Sequence, residues 1–478
     1  MKNNQFSRRH FLGSMLAAAG ASAAPFAMNL AAMSAAAAQN ASDYKATVCL
    51  FMTGGNDPFN TVVATDPASW SEYQRLRGGN DNGQLALPAP GASNGLLAIT
   101  PNTEQSGRSF ALHPSLAPLK TLFDSGRAAI VANVGTLVQP TTLAQYKAAS
   151  VALPPKLFSH NDQQSVWQSG GAEGATSGWG GRMADLVAAG NGNAMFTSIS
   201  AGGNTVFLSG RNVRQFQVNP AGNPPVELLS GQLFHSSPAG NTLQSIITAS
   251  STDPMEKEYA AIMQRAIASQ GVLASAIPAA GAGGVPDPTP YINPNTQQAA
   301  VNPLAKQLQM VARIIAGRNG LGAKRQVFYV SMAGFDTHNG QLAAQADLLA
   351  RVAHAIAYFD TLMGNLQGTD VRRQVTLFTA SDFGRTFASN GDGTDHGWGS
   401  HHFVVGGAVK GKDIYGAFPP SGEGHALDVG SGSLLPTVSV DQYGATLAGW
   451  FGLSAAQIAD VFPNIGNFSS RDLGFMNA

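Results

Sequence analysis

Five short runs in this chain are apolar over most of their length: Thr47–Met52 (TVCLFM), Ala128–Val134 (AAIVANV), Gln326–Met332 (QVFYVSM), Gln374–Thr379 (QVTLFT) and His402–Gly406 (HFVVG). A strand with one face in water alternates apolar and polar residues, whereas a continuous run is what a strand covered on both faces shows. Between two of the runs lies Gln341–Leu366, with Leu342, Leu348, Leu349, Val352, Ile356, Phe359, Leu362 and Met363 close to helical spacing. It joins the run ending at Met332 to the one beginning near Gln374, and a β-α-β unit of this kind predicts parallel pairing. Pro114–Asp124 reads as a helix that stops at Ser125-Gly126 and feeds the Ala128 strand. Near the end, Ser439 followed three residues later by Gln442 is a capping box. The predicted class is α/β, a mainly parallel central sheet with helices on both faces.

A chain of 478 residues with 44% hydrophobic content has ample material for a packed core. Residues 202–302 are richer in Gly, Ser, Asn and Pro, and Ala276–Asn295 (AIPAAGAGGVPDPTPYINPN) is a proline- and glycine-punctuated loop. This span is predicted to be an insertion, with a helix around Pro254–Ala274, in a single domain covering 39–478. Lys+Arg and Asp+Glu are both 28, so the formal charge is +0 and nothing suggests a nucleic-acid partner. Cys49, the one cysteine, rules out an intrachain disulfide, and its place in an apolar run reads as a buried strand residue.

The first 38 residues are set apart as a targeting signal. SRRHFL (Ser7–Leu12) places two arginines before the mildly apolar Phe11–Ala38, which ends in small residues suited to cleavage after Ala38. This is a twin-arginine signal, which implies the Tat translocon as a transient partner and a periplasmic or secreted product without a stable membrane span.

Polar clusters follow the apolar runs. Thr47–Met52 leads into TGGNDPFNT with Asp57 and Thr61, and Gln326–Met332 leads into AGFDTHNG with Asp336 and His338. Gln374–Thr379 leads into ASDFGRT with Asp382 and Arg385, followed by Asp395, His396, His401 and His402. A parallel sheet brings such strand ends to one edge, where ligands of α/β proteins bind. Carboxylates and imidazoles converging there are expected to hold one or two divalent ions, Zn²⁺ or Mn²⁺. Ser159 in FSHNDQQSVWQSG stands before a helix, either as its N-cap or as a nucleophile or substrate contact. Arg385 either neutralises Asp382 or Asp395, or binds an anionic substrate group.

The motifs FMTGGNDPFNTVV, FSHNDQQSVWQSG, GWGGRMAD, GFDTHNGQ, SDFGRTFASNGDGTDHGWG and DQYGATLAGWFGL, in that order behind a twin-arginine start, resemble the DUF1501 family of exported bacterial proteins. That family is in turn similar to the alkaline phosphatase and sulfatase superfamily. The resemblance implies an alkaline-phosphatase-like core and two adjacent metals, with Asp57, Asp336, His338, Asp382 and His396 as ligands and Ser159 at the nucleophile's place. The implied activity is hydrolysis of a small anionic phosphate or sulfate ester, with Ser159, Thr61 or a water attacking and Arg385 holding the anion. The sequence departs from the superfamily at 382–383, which is Asp-Phe rather than Asp-His, leaving His401 or His402 to complete a second metal site. The alternative is a non-catalytic binding or scaffold protein that keeps a degenerate metal site.

Overall fold

The computed structural model describes residues 43–79, 84–221 and 237–477; the twin-arginine segment lies outside them. Nine strands form the central sheet: β1 (Lys45–Thr53), β2 (Ala128–Gly135), β3 (Ser198–Ser200), β4 (Phe216–Gln217), β5 (Arg325–Ala333), β6 (Val375–Ser381), β7 (Ser400–Val405), β8 (Ile414–Tyr415) and β9 (Val438–Ser439). Their order is β8-β2-β7-β6-β1-β5-β3-β4, with β9 also paired to β2. Neighbours are parallel except at β7, which runs antiparallel to both β6 and β2.

All five apolar runs are strands. The helices that cover them are α1 (Ala117–Asp124), α2 (His160–Ser169), α3 (Trp179–Val187), α4 (Pro254–Ala276), α5 (Pro303–Ala316), α6 (Gln341–Gly364), α7 (Val440–Phe451) and α8 (Ala455–Val461). Alternate residues of β1 enter two different cores. Ala46, Val48, Leu50 and Met52 pack with α1, α5 and α6, whereas Cys49 and Phe51 pack with α3 and α7. Burial on both faces is why the run shows no polar alternation. Burial also pushes the Cys49 thiol well above its ordinary pKa, so it is an inert core residue.

Helix α6 joins β5 to β6, but β1 lies between those strands, so the crossover passes over one neighbour. The Pro114–Asp124 helix is divided, with a 3₁₀ turn at Pro114–Leu116 before α1. The capping box is formed in both directions, Gln442 N to Ser439 Oγ and Ser439 N to Gln442 Oε1, each 3.0 Å. Within 202–302, β4 extends the sheet edge and α4 is a 23-residue helix started by Asp253, whose side chain accepts from Met255 N and Glu256 N. None of the helices among the described residues is long and apolar enough to cross a membrane.

Candidate metal centre

Strands β1, β5 and β6 end at the same edge. Beyond β5 comes the Asp336-Thr337-His338 turn, and beyond β6 come Asp382, Phe383 and Arg385. The chain then loops through His396 and re-enters the sheet at that edge as the antiparallel β7. Two glycines let these loops touch backbone to backbone. Gly54 has φ +119, and a Cβ there would lie 2.3 Å from Asp336 N; a Cβ on Gly393 would lie 2.2 Å from the His338 carbonyl carbon. Any larger residue at either position forces the Asp336–His338 turn to move.

Three imidazoles close around the Asp336 carboxylate. His338 Nε2 is 3.1 Å and His396 Nε2 3.2 Å from Asp336 Oδ1, while His160 Nε2 is 3.4 Å from Oδ2. The two Nε2 atoms of His338 and His396 are 2.9 Å apart. One donor atom each from His160, Asp336 and His396 lies within 4.8 Å of the others. The far nitrogens of two rings are anchored: His160 Nδ1 meets Asp382 Oδ2 at 2.7 Å, and His396 Nδ1 meets the Phe158 carbonyl at 2.7 Å. With Nδ1–H donating to those oxygens, each Nε2 presents its lone pair to the centre. A carboxylate or carbonyl behind a ligating histidine is the usual support of a metal site. Phe158 reaches its position with φ +70, an uncommon conformation for a bulky residue. The rings of His160 and His396 also pack on Phe383, with centroids 4.8 and 4.7 Å away.

Charge is distributed unevenly over this group. The hydrogen bond to Asp382 raises the His160 pKa, with the Asp382 and Asp336 charges adding to it against partial burial. Burial lowers that of His396. Burial disfavours ionised Asp336, but the Arg385 hydrogen bond and charge outweigh it, and its carboxyl sits below the usual range. Asp382 is 1% exposed; its Oδ2 takes His160 and Gln164 Nε2 (2.8 Å), and its Oδ1 is buried without a partner.

The chain matches the family DUF1501, described as a protein of unknown function, over residues 44–439. The chain belongs to DUF1501. No curated protein matches it. Among solved structures, this DUF1501 chain is similar to Ps i-CgsB in complex with k-i-k-neocarrahexaose, at 9% identity and TM-score 0.34, covering 89% of this chain and 77% of the other. It is also similar to a 2-O GAG sulfatase, at 11% identity and TM-score 0.29, covering 86% and 71%. Likenesses of this size assign no activity.

The remaining expected site residues of this DUF1501 protein have other partners. Asp57 is buried: Arg77 Nη1 contacts its Oδ2 at 2.6 Å and Arg77 Nη2 its Oδ1 at 3.0 Å. Phe59 N donates to Oδ1 and Gln341 Nε2 to Oδ2, so both oxygens are engaged away from the imidazoles. Thr61 is 1% exposed and its hydroxyl donates to the Asp57 carbonyl at 2.6 Å. Ser159 holds the N-cap position of α2, but its side chain makes no cap bond; Oγ donates to Asp162 Oδ2 at 2.9 Å. Arg385 is fully buried and pairs with Asp336 (2.7 Å), not with Asp382 or Asp395, and Thr394 takes two of its other nitrogens. His401 and His402 are buried in the sheet, with His401 Nδ1 accepting from Asn133 N. Sequence reasoning missed His160 as a site residue and Arg77 as the partner of Asp57.

Asp57→Ala is therefore expected to destabilise the fold by about 3–5 kcal/mol, because Arg77 would keep a buried, uncompensated charge. Urea unfolding checks this, and the folded fraction should retain its metal content.

Proposed function

We propose that this chain is an exported metal-dependent hydrolase acting on a small anionic phosphate or sulfate ester. The observation that carries the reading is the convergence of His160, His338 and His396 Nε2 on Asp336, each within 3.4 Å. The donor chemistry fits a divalent ion: His160, His396 and Asp336 would be the ligands, with His338 beside them on the exposed side. Imidazole-rich sets suit zinc better than manganese, which prefers oxygen. Bound there, zinc would supply Lewis-acid polarisation of an ester oxygen and a more acidic water.

The protein's own contribution is orientation. Asp382 and the Phe158 carbonyl fix which nitrogen of His160 and His396 faces the centre, and Phe383 holds both rings edge-on to one another. Gln341 ties the turn to the core: its Oε1 accepts from Thr394 (2.6 Å) and Thr337 (3.2 Å) while its Nε2 holds Asp57. With Thr61 and Ser159 hydroxyls already donating, water is the nucleophile this reading favours. The N-terminus of α2, left without a side-chain cap, supplies N–H groups for an anion beside His160. The same committed hydroxyls favour a second reading, a metal-bearing binding protein without turnover. The twin-arginine start supports export in either case.

Protein purified from the exported fraction is expected to carry about one divalent ion, and chelation to lower its stability by about 4 kcal/mol if the ion was present at a thousand times its Kd. Screening phosphate and sulfate esters with zinc then divides the readings. Turnover that disappears with the ion supports the hydrolase; a tightly held ion with no turnover supports the binding protein.

A further inference from the structure

The opposite edge of the sheet holds a cleft of about 460 Å³ between α7, α8 and the C-terminal segment. Helix α7 starts after β9 at the metal-centre edge and runs back. Its last residues meet the first residues of two strands, with Lys45 Nζ donating to Trp450 O and Arg325 Nε to Phe451 O. The nine residues of β1 therefore separate the cleft from the metal centre, roughly 30 Å at 3.3 Å per residue.

One wall of the cleft is apolar, formed by Trp450, Ile458 and Met476. Two cations, Lys410 and Arg471, stand in the same lining, and neither has a side-chain hydrogen bond or ion pair among the described residues. The one carboxylate in the lining, Asp472, takes Gly474 N on Oδ1 at 2.8 Å and contacts neither cation. The volume falls within the usual range for small-molecule sites, which combine an apolar body with a few convergent polar groups. Nowhere is this cleft used by the metal centre.

We propose that this cleft binds a small organic anion with a flat apolar body, its carboxylate or sulfonate between Lys410 and Arg471 and its body against the open face made by Gly449, Ala455 and Ile458. Guanidinium and ammonium donors to an anion form charge-assisted bonds, and the apolar wall rejects a fully hydrated inorganic ion.

Calorimetric titration of the full mature chain with indole-3-acetate tests this, with indole-3-acetamide and inorganic phosphate as controls. The expected result is one saturable site for the acid and binding at least about tenfold weaker for both controls. Lys410→Ala and Arg471→Ala, both exposed and outside the core, should each weaken the acid roughly tenfold. Ile458→Trp should abolish binding by filling the cleft, and chelating the metal should leave it unchanged. No saturable binding at about millimolar acid overturns the proposal, as does equal binding of the amide, equal binding of phosphate, or indifference to both cation substitutions.

Discussion

Replacing His396 with alanine is expected to reduce bound metal from about one ion per chain to a small fraction, and any ester hydrolysis by about 10³-fold or more. His396 offers one of three converging donor atoms that could hold an ion, and the Phe158 carbonyl accepts the orienting hydrogen bond from its other nitrogen. Asp382→Asn removes only the charge behind His160, so metal affinity should fall by roughly 10–100-fold, the usual cost of an outer partner. Asp336→Asn is the sharper test of ligation, because it keeps an acceptor for the buried Arg385 while losing the carboxylate. Metal analysis with thermal unfolding separates the cases. If His396→Ala and Asp336→Asn keep full metal content, the centre is not where the ion binds.

Acidification is expected to destabilise the chain steeply below pH 6.5, independently of the metal centre. Burial pushes His113, His401 and His402 from an ordinary value of 6.5 down to about 3. Each is buried as the neutral ring; His113 Nδ1 accepts from Ser115 N and His401 Nδ1 from Asn133 N. A folded pKa below the unfolded one gives stability that is complete above pH 6.5 and is lost as pH falls toward 3. At pH 5 each ring has lost about 2 kcal/mol, and the three together about 6 kcal/mol. Asp441 works the other way: burial, against weaker opposing hydrogen bonds, pushes it up to about 6, so its stabilising contribution is present at low pH and lost as pH rises through 6. At pH 5 it returns only about 1.4 kcal/mol relative to neutral pH. Urea midpoints from pH 7 to 5 check the sum, and His402→Gln should flatten the slope. A flat profile from pH 7 to 5 would show that these rings are not held neutral.

The strands were legible because burial on both faces leaves a one-dimensional mark, a run without alternation. Their direction was not: nothing in HFVVG distinguishes an antiparallel return from another parallel strand, and β7 is the one that turns back. The Asp336, His338, Asp382 and His396 group was legible because each residue follows a strand or sits in the loop between two. His160 was harder, since a histidine at the start of a polar helix has no period or spacing that separates it from a surface residue. Arg77 was invisible for a similar reason. It ends the helix Pro67–Arg77, where a basic residue is ordinary, yet it is 0% exposed and holds Asp57. An aspartate after the first strand reads as a ligand until its buried cation is found. At 383 the resemblance led to the expectation of a histidine, and the phenylalanine there packs against two imidazole rings instead.

The reversal of β7 has a consequence for how such proteins diversify. Residues 382–399 leave the sheet and return to it at one edge, so they form an excursion whose two ends are pinned side by side. The excursion is nonetheless tied to the core along its length, with Arg385, Phe387, Thr394 and Trp398 all buried and Arg77 holding the Thr386 and Phe387 carbonyls. Of the three candidate donors only His396 lies in it, with the supporting Asp382 and Arg385, while His160 and Asp336 stay on the scaffold. Exchanging this excursion therefore requires its buried partners on the scaffold, Arg77, Asp336 and Gln341, to change with it.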